Sequence, residues 1–168
     1  GKPLYPNIKG IDNTKRFSAI DVLDSRKAYG QKVLVIGGGM VGAETADFLC
    51  QGGHDVTIVE MRSEIASDMS AGLARLLKSR LEGAKAVIIT DAVVKEIYDD
   101  GILYEHDGKD RKISDFDTVV IALGAAADNS LEEALKGTTD DLYVIGDAVK
   151  ARKAIDAIEE AMEIAIKL

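Results

Sequence analysis

The chain has 168 residues, of which 46% are hydrophobic and 30% are charged, a balance typical of a globular domain with a substantial core. Its net charge of −8 disfavours nucleic-acid binding, which requires a basic face. One cysteine excludes an internal disulfide and a multi-cysteine metal site, and no apolar run is long enough to predict a membrane span. We expect a reducing, cytoplasmic setting.

The first 30 residues are predicted to be a connector followed by a short helix. Residues 1–16 contain both prolines and lack a clear period, which favours extended backbone. Ser18 is the predicted N-cap of a helix over about 19–28, and Asp21 would complete a weak capping box. Tyr29-Gly30 is expected to end this helix. The absence of an initiating methionine suggests a fragment.

Residues 32–62 have the pattern of a βαβ unit. The predicted strands at 33–36 and 56–59 are continuous apolar runs, as expected for strands buried on both faces. The helix between them, over about 40–51, ends at Gly52-Gly53. One side of this helix is expected to carry Val41, Thr45, Phe48 and Leu49.

The remaining chain predicts an α/β fold: a Rossmann-like parallel sheet with helices on both faces and an inserted antiparallel β-meander. The next helix spans about 69–82, and its predicted apolar stripe comprises Leu73, Leu76, Leu77 and Leu81. Short alternating segments with Asp-Gly turns place the meander at 91–115. Further strands are predicted at 86–89, 118–122 and 142–145. A short helix capped by Ser130 and a last helix over about 150–167 are also predicted.

The glycine motif between the first two buried strands predicts dinucleotide binding. In G-x-G-x-x-G, Gly37 permits a tight turn, Gly39 leaves room for a pyrophosphate, and Gly42 lets the helix pack close to the strand. The backbone N–H groups of Met40, Val41 and Gly42 would then face the phosphates at the positive end of the helix. The motif follows a buried strand and opens a helix, which is the context it requires.

Three charged residues near this motif are candidate cofactor contacts. Glu60 ends the second strand, where a carboxylate accepts hydrogen bonds from the adenosine ribose and repels a 2′-phosphate, so NADH is favoured over NADPH. Arg62 is interpreted as a surface charge or an adenine-stacking residue, although it could also accept a 2′-phosphate. Glu44 is either a surface acid favoured by the helix dipole or a contact to the nicotinamide end.

Two glycine turns further along the chain follow predicted strands. Gly124 lies at the carboxyl end of a parallel strand, where ligands bind in open α/β sheets, and Gly146-Asp147 has the same placement. Lys150, Arg152 and Lys153 begin the last helix, which indicates either an anion site or a solvated basic turn. His54 and His106 are interpreted as surface residues, and Cys50 as a structural thiol.

Four segments together resemble the two-dinucleotide flavoprotein reductases, the pyridine nucleotide-disulfide oxidoreductase-like family. These are VLVIGGGMVGAETADFL (33–49), VTIVE (56–60), DTVVIALG (117–124) and YVIGDAVKARKAIDAI (143–158). The last segment is most similar to the C-terminal half of Old Yellow Enzyme-like NADH:flavin oxidoreductases, the 2-enoate and 2,4-dienoyl-CoA reductase group. The family's upstream FAD-binding G-x-G-x-x-G is absent from this sequence.

The resemblance implies a division of roles along the chain. Residues 31–140 would form the NAD(H)-binding domain, whereas 1–30 and 141–168 would be remnants of a flavin domain. Asp147 would contact the ribitol–phosphate part of FAD in the parent enzyme. The resulting candidate cofactor-binding residues are Gly37, Gly39, Met40, Val41, Gly42, Glu44, Glu60, Met61, Arg62, Leu123, Gly124 and Asp147.

The resemblance favours an NADH-binding domain of a flavin-dependent oxidoreductase. It implies that the nicotinamide is positioned for hydride transfer to a flavin held largely by missing parts, and that the isolated chain is inactive and binds FAD poorly. Two alternatives stay open: a stand-alone NADH-sensing module, and an FAD-binding domain. A homodimer through the connector and residues 142–145 is a further hypothesis.

Overall fold

The computed structural model describes residues 1–12, 16–24, 30–139 and 141–168. Two compact units divide the chain: residues 5–124 form the large unit, and residues 1–4 with 125–168 form the small unit. Residues 16–18 are a strand of the main parallel sheet and so belong to the large unit. The functional boundaries at 30/31 and 140/141 stay a prediction. The helix predicted over about 19–28 ends at Leu23 in the structure, with Asp24 as its C-cap, and Tyr29 lies outside the described residues.

The secondary structure alternates strands and helices in the order expected for an α/β fold. The strands are β1 (Lys2–Pro3), β2 (Arg16–Ser18), β3 (Lys32–Ile36), β4 (Asp55–Val59), β5 (Val87–Ile89), β6 (Ala92–Tyr98), β7 (Gly101–His106), β8 (Lys109–Ile113), β9 (Thr118–Ile121) and β10 (Ala125–Ala126). The α-helices are α1 (Ala19–Leu23), α2 (Met40–Gln51), α3 (Ala71–Gly83), α4 (Ser130–Leu135) and α5 (Ala154–Ala165).

A five-stranded parallel sheet is the centre of the large unit. Its strand order is β2-β9-β3-β4-β5. The side chains of β9 are buried along its whole length, as are those of β3 from Val33 onward, which explains why these strands are continuous apolar runs. Strand β2 was missed in the stretch read as a connector, whereas the other four strands are confirmed.

The two faces of this sheet are covered by different layers. Helices α1, α2 and α3 pack on one face around Val33, Val35 and Ile58. The antiparallel sheet β6-β7-β8 packs on the other face, against Leu34 and Ile36. The Rossmann-like fold and the meander are therefore confirmed, but the expectation of helices on both faces is corrected. The meander itself supplies the apolar layer that a second set of helices would provide.

Helix α2 faces the sheet with small side chains. Gly42, Ala43 and Ala46 are buried, whereas Val41 is 43% exposed and Phe48 is 40% exposed. The predicted stripe was therefore wrong at Val41 and Phe48, because close packing of the helix on the sheet selects small residues. In α3 only part of the predicted stripe is buried: Leu77 and Leu81 are inside, and Leu73 and Leu76 are exposed.

The first helix confirms the predicted N-cap in atomic detail. The Ser18 hydroxyl accepts a hydrogen bond from the Asp21 backbone N–H at 3.1 Å, and the Asp21 carboxylate accepts one from the Ser18 backbone N–H at 2.9 Å. This reciprocal capping box satisfies two backbone donors at the start of α1. It also joins α1 directly to the end of β2, since Ser18 is the last residue of that strand.

The small unit has little regular structure beyond its two helices and the pairing of β1 with β10. The predicted strand at 142–145 is not formed, because these residues have no strand beside them among the residues that the structure describes. Helix α4 starts at Ser130, and Asn129 occupies the N-cap position predicted for Ser130. Across the described residues, no helix is long and apolar enough to cross a bilayer.

Candidate functional site

A cleft in the large unit lies where the carboxyl ends of β3, β4 and β9 meet. In a parallel sheet these ends share one edge, which is where ligands bind in open α/β folds. The cleft has a volume of about 470 Å³, within the range of roughly 300–1,000 Å³ typical of small-molecule sites. Its lining includes the turn after β3, the end of β4 and residues 122–124 after β9.

Two glycines of the turn are required by packing. Gly37 has a φ of +100°, and a Cβ built on it would lie 2.4 Å from the Ala122 carbonyl oxygen. A Cβ on Gly42 would lie 1.9 Å from the Gly37 carbonyl oxygen. Neither neighbour can move easily, since both are backbone atoms. These glycines therefore bring α2, β3 and the β9 end into close contact, as the motif predicts.

Gly39 differs from the other two glycines because a side chain at this position would extend into the cleft. Its φ of −63° suits any residue. The nearest heavy atom to a Cβ at this position would be Asp68 Oδ2 at 3.4 Å, an ordinary contact. The fold thus tolerates a side chain at Gly39, and the empty space lies at the N-terminus of α2, where anions are stabilised.

Glu60 is a buried carboxylate at the end of β4, with 7% of its surface exposed. Its Oε2 accepts a hydrogen bond from the Gly38 backbone N–H at 2.5 Å, and its Oε1 accepts one from the Arg62 backbone N–H at 2.8 Å. The carboxylate therefore ties the glycine turn to the strand end. Each oxygen retains a lone pair that can accept a further hydrogen bond from a ligand.

Asp68 is a cleft residue that the sequence did not reveal. Its Oδ1 accepts a hydrogen bond from the Met40 backbone N–H at 2.8 Å, at the first turn of α2. The N-cap residue Gly39 has no side chain to cap this helix, so Asp68 supplies the acceptor from 28 residues away. The missing side-chain cap at Gly39 is the signal in the sequence that points to an acidic residue elsewhere in the chain.

Apolar residues from two other segments complete the cleft. Pro6 and Ile8 come from the predicted connector, and Ala92, Val93 and Val94 come from the first strand of the meander. The connector is held in place because the Ile97 backbone N–H donates to the Lys9 carbonyl oxygen at 2.8 Å. No local sequence pattern marks these residues, since their position depends on the packing of the meander.

The structure brings most of the candidate residues together. Those lining the cleft are Gly37, Gly39, Met40, Val41, Glu60, Met61, Arg62, Leu123 and Gly124. Gly42 packs behind the turn. Glu44 is exposed on α2 and does not line the cleft. Asp147 belongs to the small unit, where its Oδ1 accepts a hydrogen bond from the Arg152 backbone N–H at 3.1 Å.

The basic turn before α5 is already supplied with carboxylates. The Arg152 guanidinium pairs with Glu160, and its backbone N–H donates to Asp147. Of the three cations predicted at this helix start, Arg152 is thus paired within the small unit. The anion site and the solvated basic turn both stay predictions.

Comparison with protein families gives a match that spans almost the entire chain. The family model described as pyridine nucleotide-disulphide oxidoreductase matches residues 1–165. The chain belongs to this family. Membership implies an oxidoreductase origin and the family's use of NAD(P)H and FAD.

Relatives of this chain include an oxidase and a reductase. An NADH oxidase from Thermoanaerobacter brockii is 38% identical over 172 residues, covering 98% of this chain and 26% of the relative. A cinnamate reductase from Clostridium sporogenes is 34% identical over 166 residues, covering 97% of this chain and 24% of the relative.

The solved structure of a 2-naphthoyl-CoA reductase in complex with 2-naphthoyl-CoA has the same fold over 100% of this chain. The identity is 31%, the TM-score is 0.90, and the match covers 26% of that protein. The chain therefore spans about a quarter of the length of the relatives it matches. The resemblance to the enoate-reductase group is confirmed by these matches.

Proposed function

We propose that the large unit binds NADH and orients it for reaction with a flavin held by other parts of a longer polypeptide. One observation carries this proposal. The open space at Gly39, at the N-terminus of α2, lies in the same cleft as the buried carboxylate of Glu60. An anion-accepting end and a hydroxyl-accepting end in one cleft suit the pyrophosphate and the adenosine ribose of a dinucleotide.

The pyrophosphate end is formed by the first turn of α2. Backbone N–H groups in this turn have no acceptor within the helix, and the helix dipole adds a partial positive charge. Gly39 leaves no side chain between these donors and the cleft. This backbone can therefore hold a phosphate without a basic side chain, which suits a chain of net charge −8.

The adenosine end is proposed to favour NADH over NADPH. Glu60 has only 7% of its surface exposed, so its charge is weakly screened by water and would repel a 2′-phosphate beside it. Arg62 is exposed, and its guanidinium Nη1 donates to the Ser67 hydroxyl at 3.1 Å. That contact favours the interpretation of Arg62 as a surface residue over its use as a phosphate ligand.

The remaining cleft residues would orient and shield the dinucleotide. When bound, NADH supplies a hydride from its nicotinamide ring. Leu123 and Gly124 lie at the end of β9, and Val41 and Ile8 add apolar surface that excludes water from this part of the cleft. No side chain needs to move a proton, so we expect the isolated chain to bind NADH without oxidising it. The role of Glu44 near the nicotinamide remains a prediction.

A matched pair of glycine variants tests the proposal. Gly39→Val directs a branched side chain into the proposed pyrophosphate position at a backbone conformation that valine adopts freely. Gly72→Val introduces the same group into α3, where a Cβ would have no neighbour within 4 Å. Both variants should fold, which thermal unfolding followed by circular dichroism checks.

Calorimetric titration of each protein with NADH, NADPH and FAD measures the outcome. We expect wild type and Gly72→Val to bind NADH equally, and Gly39→Val to lose at least about 100-fold in affinity through steric exclusion. NADPH should bind more weakly than NADH. Equal binding of both would show that Glu60 lacks the proposed role and would direct mutagenesis to Arg62. Preferential binding of FAD would support the FAD-binding alternative.

A further inference from the structure

The carboxylate of Asp68 lies where the proposed ligand's phosphate would be bound. Its Oδ1 takes the hydrogen bond of the Met40 N–H at 2.8 Å. Its Oδ2 is the atom nearest to the empty Cβ position of Gly39, at 3.4 Å. One negatively charged group thus occupies a backbone donor and lies beside the opening that the glycine leaves, the two features on which phosphate binding depends.

The loop that carries Asp68 is firmly built against the glycine turn. Ile65 and Ala66 are buried, with 2% and 1% of their surfaces exposed. The Ala66 backbone N–H donates to the Gly38 carbonyl oxygen at 2.7 Å, and Ala66 has a φ of +56°, which is uncommon for a residue with a side chain. The surrounding contacts hold this backbone in place, so the position of Asp68 is determined by the fold.

The side chain of Asp68, in contrast, is exposed to solvent, although residues 65 and 66 are buried. Rotation about its χ1 bond would carry the carboxylate into water without moving the anchored loop. The chain therefore places an exposed carboxylate on a loop whose backbone is fixed by its contacts.

We infer that Asp68 is an internal competitor for the phosphate of the dinucleotide. This inference rests on the proposed function: in the ligand-free chain the carboxylate caps α2, and on binding it is displaced by the pyrophosphate. The competition lowers affinity, because the ligand must replace an existing charge-assisted hydrogen bond. It also keeps the first turn of α2 capped when no nucleotide is bound.

A pair of charge-neutralising variants on the same loop tests the inference. Asp68→Asn keeps an oxygen that can accept from the Met40 N–H but removes the charge. Glu64→Gln removes one charge from the same loop, where Glu64 pairs with Lys78 at 2.6 Å and contacts neither Gly39 nor Met40. The two variants have the same net charge, so a difference between them reports the position of the carboxylate.

Two ligands are titrated into each protein. NADH binding is measured by calorimetry, and inorganic pyrophosphate binding is followed through the amide NMR signal of Met40. For both ligands we expect Asp68→Asn to bind about two- to fivefold more tightly than wild type, the range expected for one charge at a helix terminus. Glu64→Gln should bind like wild type.

The outcomes separate this inference from the proposed function. Unchanged or weaker binding of both ligands by Asp68→Asn would overturn the inference, and weaker binding would indicate a direct contact of Asp68 with the ligand. An equal gain in both variants would also overturn it, since it would reflect net charge alone. If no variant binds NADH, the proposed function fails, and the pyrophosphate titration still decides the role of Asp68.

Discussion

The two units of this chain differ in how much apolar surface they bury. The buried apolar side chains of the described residues all lie between Ala19 and Ile121, in the large unit. In the small unit the one buried residue among those described is Gly146. Both units contain helices with apolar stripes, yet only the large unit encloses them. An amphipathic pattern is therefore enough to predict a helix, but a hydrophobic core forms only where a second layer of structure packs against the apolar side of that helix.

Separating the two units should produce the largest effect. We expect residues 5–124 to unfold cooperatively as an isolated polypeptide, because the helical layer, the sheet and the meander are all present. Residues 125–168 should show no cooperative transition, because they bury almost no apolar surface. Thermal melts followed by circular dichroism measure both. A sigmoidal melt of the smaller piece would contradict the comparison.

One leucine from each unit provides a matched substitution in the full chain. Leu34 is 0% exposed between the sheet and the meander, whereas Leu131 in α4 is 68% exposed. Leu34→Ala should lower the free energy of unfolding by about 2–5 kcal/mol through lost burial and a cavity. Leu131→Ala should change it by less than about 0.5 kcal/mol. Urea unfolding gives both values, and an equal loss of unfolding free energy in the two variants would contradict the distinction between the units.

The apolar stripe of α5 should affect association more than stability. Ile155, Ile158 and Met162 are 56%, 57% and 62% exposed. Replacing all three with Gln should leave the urea midpoint nearly unchanged while lowering self-association, because exposed apolar patches promote contact between molecules. Light scattering tests this expectation together with the homodimer hypothesis. A large fall in the midpoint would mean that the stripe is buried in solution.

The smallest effect should be a local response of the small unit to acid. The Arg152 guanidinium, followed by the Gly146 backbone N–H, holds the pKa of the Glu160 carboxyl below its usual range. Because the pKa is depressed in the folded state, this interaction contributes fully at neutral pH. It is lost as the pH falls below the ordinary glutamate value of about 4.3.

Amide hydrogen exchange detects this response residue by residue. We expect lower protection factors, measured against an unfolded chain at the same pH, around Gly146 in acid, with no change near Leu34 in the large unit. Glu160→Gln should remove the pH dependence at Gly146, because the carboxylate that accepts its N–H is gone, whereas Arg152 keeps the response of Asp147. A uniform loss of protection across both units would show instead that acid acts on the whole chain.

The residues from 32 to 60 could be predicted from sequence because their structure is specified locally. Two apolar runs, a glycine turn and a helix of moderate length predict the strands, the turn and the part of the cleft that these residues line. The same holds for the Ser18 capping box, whose two partners are three residues apart. Local patterns succeed where the contacts they describe are themselves local.

One missed strand, one strand that did not form and one missed cleft residue all depend on contacts between distant segments. Strand β2 has three residues, too few to show a period, and it is defined by pairing with β9. Residues 142–145 have the composition of a buried strand, but the part of the chain that the structure describes offers them no neighbouring strand to pair with. Asp68 reaches α2 from 28 residues away, so no spacing rule could have placed it in the cleft.

The strand order has a consequence for a chain made from its N-terminus to its C-terminus. Strand β9 pairs with β2 on one side and β3 on the other, although about 80 residues or more separate it from both. Until Thr118–Ile121 has been synthesised, β2 lacks its partner and β3 has an open edge. Strands β2 and β3 therefore have unpaired edges during most of the synthesis of the chain. In this period an unpaired edge can pair with a neighbouring chain, which leads to aggregation.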